Sequence, residues 1–175
     1  MLNEAVNQAT TKDSEGWNTP QKVIDLVRQV APIALDPCSN EGSLVEADHT
    51  IALPEDGLDA DWWACSRLGE FGRASAGLVY VNPPYGSGIG PWLAKCAHES
   101  RRGCEVIALV PARTDAKWFQ CNVFACAQAI CFWAGRLRFE GAPSSAPFPS
   151  ALAYYGTRSR LFREVFAHHG TAVTL

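Results

Sequence analysis

The stretch Leu78-Val79-Tyr80-Val81-Asn82-Pro83-Pro84-Tyr85-Gly86 decides the reading of this chain. Its first four residues are continuously apolar and rich in β-branched and aromatic side chains, the pattern of a short strand covered on both faces. Two consecutive prolines then end the strand. Neither has an N–H, and each locks its own φ, so the backbone turns rigidly. The carbonyls of Asn82 and Pro83 are held in fixed directions with no local donor. An Asn side-chain oxygen beside a fixed carbonyl makes a pair of acceptors. Such a pair suits a planar –NH₂ group, because it holds both hydrogens and leaves the nitrogen lone pair free for attack. Tyr85 is placed to stack on the attached ring. The competing reading is a strand-ending turn in which Tyr85 simply packs; the glycines that follow (Gly86, Gly88, Gly90) favour the chemical one.

Working outward, Ile33–Leu35 is a short apolar strand running into Asp36-Pro37, and Val106–Val110 is another ending at Pro111. Ala129–Trp133 and Ala151–Tyr155 read as two more. Thr19-Pro20 reads as a helix start, with Thr19 at the N-cap and Pro20 at the first helical position. Val23, Ile24, Val27 and Val30 follow at helical spacing, and Pro32 stops the helix. A second helix begins near Pro91 and closes at Glu99–Gly103, and Trp118–Ala127 reads as a third. Continuously apolar strands alternating with helices predict an α/β fold, with a mostly parallel sheet and helices on both faces. In such sheets ligands bind beyond the carboxyl ends of the strands. Those ends carry Asp36, Asn82 and Pro111–Arg113, which predicts one shared site. Ala129–Trp133 and Ala151–Tyr155 are joined by a Gly/Pro/Ser loop without a helix, which predicts an antiparallel pair at the sheet edge.

Composition bounds the rest. The chain has 175 residues, 47% hydrophobic and 19% charged, which excludes a largely disordered protein and predicts one domain. Residues 1–16 read as a loose tail and residues 17–175 as a single domain. No apolar leader opens the chain, and the longest nearly apolar run, Val123–Gly135, is too short to span a bilayer. A cytoplasmic protein with no membrane contact is expected. Seven cysteines, none in a C-x-x-C pair, predict reduced and mostly buried thiols and no metal site. Residues 1–87 carry 5 basic and 13 acidic side chains, and residues 88–175 carry 10 basic and 5 acidic. The net charge of −3 argues against indiscriminate polyanion binding, while the basic half leaves room for a phosphate-contacting face. A solvated surface with accidental skew is the alternative.

The Asn82-Pro83-Pro84-Tyr85 tetrapeptide resembles the catalytic motif of S-adenosylmethionine-dependent amino-methyltransferases. Trp17-Asn18-Thr19-Pro20 and its amphipathic helix resemble the segment before the first strand of the adenine-methylating members. Leu35-Asp36-Pro37-Cys38-Ser39 is similar to their cofactor-binding strand end. Three further stretches resemble the small Dam-type DNA N6-adenine methyltransferases of phages and prophages: Asp56-Gly57-Leu58, Leu109–Asp115 and Gly135-Arg136-Leu137-Arg138-Phe139. The resemblance covers roughly residues 17–155. The tetrapeptide is shared with enzymes acting on RNA and on protein glutamine, so it speaks to reaction type, and the combination favours adenine in DNA.

The resemblance implies a Rossmann-like class I methyltransferase fold and S-adenosylmethionine as cofactor. It implies double-stranded DNA with a flipped adenine as substrate, and the cytoplasm of a bacterial host as location, the gene being of phage or prophage origin. Asn82 and the Pro83 carbonyl would hold the exocyclic amine, with Pro84 stiffening the turn and Tyr85 stacking on the base. Asp36, Pro37 and Cys38 would lie beside the methionine part of the cofactor, with Thr19 and Pro20 near its carboxylate and Trp17 walling the same pocket. Asp56 would accept from the cofactor adenine, with Leu58 against that ring. Phe148 matches the place of a second aromatic on the flipped base, and equally reads as a core residue in a proline-rich turn. The loop Asp36–Gly42 has one glycine where many methyltransferases have D-x-x-x-G-x-G. Glu46 and Asp48 are candidates for the ribose-holding acid, and each also reads as a solvated surface charge, as do Asp59 and Asp61. Arg113, Lys117, Arg136 and Arg138 are candidate phosphate contacts; a solvated pair is the other reading for the last two. Arg158, Arg160 and Arg163 read as the wet face of a helix. With no separate recognition domain, a short or relaxed target sequence is expected. RNA adenine, protein glutamine and a non-catalytic nucleic-acid-binding relative remain the alternatives.

Overall fold

The computed structural model describes residues 17–66 and 77–175. The expected tail at 1–16 lies outside the described residues. Seven strands form one sheet: β1 (Ile33–Asp36), β2 (His49–Thr50), β3 (Leu78–Val81), β4 (Glu105–Pro111), β5 (Ala129–Trp133), β6 (Ser150–Tyr155) and β7 (Gly170–Thr174). Their order is β2-β1-β3-β4-β6-β5-β7. The first four of these pair in parallel, with Tyr80 opposite Ile107 and Val81 opposite Ala108. β6 is antiparallel to both β4 and β5, and β7 is antiparallel to β5.

The helices are α1 (Gln21–Val30), α2 (Trp62–Cys65), α3 (Ile89–Arg101), α4 (Lys117–Phe119) with a π-helical turn at Gln120–Phe124, and α5 (Ser159–Phe166). α1 buries Val23, Ile24, Leu26, Val27 and Val30 and leaves Asp25 in water. Each such buried aliphatic side chain contributes about 1.5–3 kcal/mol. That stripe packs with Phe162 and Phe166 of α5 against Tyr80, Leu109 and Tyr154 on one sheet face. Ile89, Trp92, Leu93 and Cys96 of α3 cover Val79, Val81 and Ala108 on the other. The sheet is therefore covered by helices on both faces.

Three expectations need correction. Pro20, not Thr19, is the N-cap of α1, and the first turn closes on its carbonyl. A residue before proline is pushed out of the helical region, so Thr19 lies extended and its hydroxyl turns inward to Tyr80. The antiparallel pair is real, but β6 is an interior strand between β4 and β5. All six of its residues are buried, as a strand covered on two faces requires. The edge is β7, an antiparallel strand absent from the sequence reading. It is short, built of small side chains and Val173, and largely exposed, as tolerated edges are. The helix expected at Trp118–Ala127 breaks into a short α turn and a π turn, with Ala125 N–H donating to Gln120 O at 3.2 Å. The five-residue spacing of Cys121 and Cys126 reflects that turn, since Cys126 Sγ donates to Cys121 O at 3.3 Å. None of the seven cysteines forms a disulfide.

Candidate active site

A cavity of about 310 Å³ opens at the carboxyl ends of β1 and β3. The segment Trp17–Thr19, the Asp36–Asn40 turn, the loop after β2 and the Asn82–Tyr85 turn all line it. Chain direction explains the convergence, because parallel neighbours β1 and β3 deliver Asp36 and Asn82 to the same side of the sheet.

Asn82 is held at both ends of its amide. Its Nδ2 donates to the Trp17 carbonyl at 3.2 Å, and its Oδ1 accepts from the Tyr85 hydroxyl at 3.1 Å. Pro83 is buried, and among the described residues no backbone N–H donates to its carbonyl. Pro84 faces solvent. Around this turn four aromatic rings meet. Tyr85 makes edge-on contacts with Phe148 at 5.4 Å and Phe139 at 6.1 Å, while Trp17 stacks on Phe139 at 5.7 Å. Phe148 is half-buried against Tyr85 and Trp17.

Asp36 is 3% exposed. Its Oδ1 accepts from Cys38 N–H at 3.2 Å and its Oδ2 from the Ser43 hydroxyl at 3.3 Å. These bonds favour the carboxylate, but burial outweighs them and pushes the pKa from 3.8 to about 6. Burial also pushes the Cys38 thiol well up, and the neighbouring Asp36 charge adds to it. Cys38 is thus a protonated, unreactive thiol in the cavity wall.

The Asp56-Gly57-Leu58 loop is fixed from behind. Asp56 Oδ1 accepts from Leu58 N–H at 2.9 Å, and Gly57 O accepts from Trp62 Nε1 at 2.7 Å. A Cβ on Gly57 would strike the Pro37 carbonyl, so only glycine allows this close approach. Trp62 stacks on Trp92, and the Lys95 ammonium sits 5.5 Å over its ring. Lys95 donates to Ala60 O at 2.8 Å and pairs at 2.7 Å with Glu99, a carboxylate with no solvent exposure. Arg102 holds the other Glu99 oxygen at 2.9 Å and reaches Asp61 at 3.0 Å. Asp61 also caps α2, and Arg102 beside it lowers its carboxyl pKa. Asp61 is exposed, as expected of a surface acid, and its bonds to Arg102 and to the start of α2 also make it an anchor.

Other expected residues separate clearly. Pro20 and Leu58 adjoin lining residues without lining the cavity themselves. Glu46 is paired with Arg28 at 3.3 Å, and neither Glu46 nor Asp48 reaches the cavity. Glu55, one position before Asp56, does. Arg113 and Lys117 are exposed beyond the end of β4. Arg136 and Arg138 are exposed beyond β5, while Leu137 between them and Phe139 after them are buried. None of these four cations forms an ion pair among the described residues. β6 runs the other way, so the segment that follows it leaves from the opposite end of the sheet. There Arg158 donates to Val30 O, while Arg160 and Arg163 bind Glu164 and Thr174.

Tyr80, Phe139 and Glu55 were not singled out in the sequence. Phe139 carried a signal, the apolar alternation with Leu137; Tyr80 is hidden in an apolar strand, where its hydroxyl looks like one more core residue. Among the described residues no helix is long and apolar enough to cross a membrane, and no group of His, Cys, Asp or Glu is arranged to hold a metal.

No curated protein and no solved structure matches the chain significantly. One family profile, described as DNA N-6-adenine-methyltransferase (Dam), matches residues 7–152. That span is most of the chain and includes both strand ends that line the cavity. This chain belongs to the Dam DNA N-6-adenine-methyltransferase family.

Proposed function

We propose that the chain methylates the N6 amine of adenine in double-stranded DNA, taking the methyl group from S-adenosylmethionine. The observation that carries this reading is the orientation of Asn82. Its Nδ2 is occupied by the Trp17 carbonyl, so Oδ1 is the end left for a substrate amine, beside a Pro83 carbonyl that receives no backbone N–H. Two acceptors side by side match the two hydrogens of an –NH₂ group.

The cavity residues fit the cofactor. Asp36 is a buried carboxylate whose raised pKa marks an uncompensated site for a cation, as an α-ammonium or sulfonium provides. Ile51, Leu53 and Trp92 offer apolar surface for a ring. Asp56 is our candidate for the adenine amine, and Glu55 replaces Glu46 and Asp48 as candidate for the ribose diol. Bound there, S-adenosylmethionine supplies an electrophilic methyl that needs no metal.

What the chain does is then positional. Asn82 Oδ1 and the Pro83 carbonyl hold the adenine amine and favour its pyramidal, more nucleophilic form. Holding that nitrogen in line with the methyl removes much of the entropic barrier. The base must leave the duplex stack, at a few kcal/mol. Tyr85 and Phe148 offset this by about 1–3 kcal/mol per stacked base. Their rings now touch edge-on at 5.4 Å, and a sandwiched base needs roughly 7 Å, two contacts of about 3.5 Å. Base entry therefore rotates one ring, and rotating Tyr85 also frees Asn82 Oδ1. Arg113, Lys117, Arg136 and Arg138 contact phosphates on the rim.

The seven-stranded sheet, with its antiparallel strand inserted beside β4, supports a Rossmann-like methyltransferase fold. Residues 17–175 work as one catalytic domain reading a short or relaxed target. A phage-derived enzyme acting in the bacterial cytoplasm is the setting we propose.

The test is transfer of labelled methyl from S-adenosylmethionine to unmethylated DNA, followed by digestion to nucleosides. Label in N6-methyldeoxyadenosine is expected. Label in N4-methyldeoxycytidine, or on RNA or protein instead, contradicts the base or substrate assigned here.

A further inference from the structure

We infer that Tyr80 is a positioning residue for Asn82, acting through the Thr19 hydroxyl and the Trp17 carbonyl; the inference rests on the reaction proposed above. Tyr80 lies on β3 two residues before Asn82, which is the first residue beyond the end of that strand. Tyr80 is 0% exposed and does not line the cavity. A buried hydroxyl requires a partner, and here the partner is Thr19 Oγ1 at 2.9 Å. Thr19 is itself 2% exposed.

Residues 17–19 belong to no helix or multi-residue strand. The segment is pinned at three points. Asn18 and Glu140 exchange backbone bonds of 3.2 and 2.9 Å, Trp17 stacks on Phe139, and Thr19 meets Tyr80. Its contact with the Asn82 side chain is the Trp17 carbonyl, 3.2 Å from Nδ2.

The two ends of an Asn amide have nearly the same shape, so partners decide which end faces a ligand. A carbonyl accepts only from Nδ2. With Trp17 O in place, Nδ2 is turned away from the substrate and Oδ1 toward it. Should that carbonyl drift once Tyr85 has rotated away from Oδ1, the amide is free to turn over and present a donor to a substrate amine that also donates. Removing the Tyr80 hydroxyl releases the Thr19 anchor and loosens this control. The expected consequence falls on turnover, because the Asp36 side of the cavity is untouched.

The experiment is a double-mutant cycle of Tyr80→Phe and Asn82→Ala, with labelled methyl transfer to unmethylated DNA as the readout. S-adenosylmethionine affinity and the thermal midpoint are measured on every variant. Tyr80→Phe is expected to lower kcat about tenfold with cofactor affinity unchanged within twofold. Added to Asn82→Ala it is expected to cost nothing further, because its effect passes through Asn82. A merely structural role would add its loss in both backgrounds. Near-wild-type kcat in Tyr80→Phe, or an additive loss, overturns the inference. If Tyr80→Phe does not fold, Thr19→Val breaks the same bond from the other side; because Thr19 also lines the cavity, that variant is read by kcat at saturating cofactor in the same cycle and not by cofactor affinity. A wild-type chain that binds cofactor but methylates no DNA sinks the proposed reaction instead. The geometry is then read from the Asn82 side-chain ¹⁵N resonance, expected to shift in Tyr80→Phe and overturning the inference if it does not.

Discussion

The Tyr85 hydroxyl donates to Asn82 Oδ1 at 3.1 Å, so the ring expected to stack on the substrate base also caps the acceptor meant for its amine. The hydroxyl takes one of the two lone pairs of Oδ1 and so competes with a substrate amine for that acceptor. In this arrangement the amide is also kept in register by the Trp17 carbonyl.

That relationship separates ring from hydroxyl. Tyr85→Phe keeps the stacking surface and removes the cap, so single-turnover transfer is expected within about threefold of wild type or faster. Tyr85→Ala removes the ring and is expected to lose about 1–3 kcal/mol of stacking, roughly 5- to 150-fold in rate. Equal losses in both variants, measured under single-turnover conditions, would assign the hydroxyl a direct chemical task.

Asp36 links function to stability. Its folded pKa of about 6 exceeds the ordinary 3.8, so the folded state binds the proton more tightly. The protonated group favours folding below about pH 4, and that contribution is lost as pH rises through 6. Above it the ionised carboxylate costs about 3 kcal/mol, at 1.36 kcal/mol per pKa unit. Asp36→Asn is therefore expected to stabilise the ligand-free protein at pH 7.5 by about 1–3 kcal/mol while weakening cofactor binding. The stability difference should shrink toward pH 4 in denaturant titrations. Wild-type cofactor affinity should fall as pH drops through 6, because a cationic ligand requires the carboxylate. A flat affinity profile from pH 5 to 8 would contradict pairing with Asp36.

Gly57 packs against the Pro37 carbonyl with no room for a side chain. Gly57→Ala must displace one cavity wall or the other, at about 1–3 kcal/mol of overpacking. Both the thermal midpoint and cofactor affinity are expected to fall. Retention of both would show that the Asp56–Leu58 loop yields freely and does not shape the cavity.

Arg136 and Arg138 are the exposed members of an alternating segment beyond β5. Each alanine substitution is expected to weaken DNA binding similarly across sequences. Each should also reduce the slope of log affinity against log salt by about 0.9. Cofactor affinity should not change. An unaltered salt slope would place the DNA elsewhere.

The fold was legible where burial writes a continuous apolar run. Leu78–Val81 and Ala129–Trp133 agree with the observed strands residue for residue, and β1 and β4 differ only at their ends. Strand order was less legible. The interior place of β6 depends on long-range pairing with β4, which no local pattern encodes. β7 was missed because a short, largely exposed run of Gly, Thr, Ala and Val buries no face and so writes no hydrophobic period. At the site, strand ends and the Asn82 motif pointed to one cavity; Asp36, Cys38, Asp56 and Asn82 line it, while the third strand end, Pro111–Arg113, does not. Thr19 misled because capping is a local rule, and a buried partner 61 positions away took its hydroxyl. Of the two readings of Glu46, the surface charge holds: its exposed carboxylate pairs with Arg28 and does not reach the cavity.

The most direct test of the central claim compares wild type with Asn82→Ala in labelled methyl transfer to DNA, with S-adenosylmethionine affinity measured on both. Wild type should yield N6-methyldeoxyadenosine, and the variant should bind cofactor normally while transferring at least about a hundredfold more slowly, as expected for a lost transition-state contact. Near-normal transfer by Asn82→Ala would contradict the assignment of Asn82 and Pro83 as the pair that holds the amine.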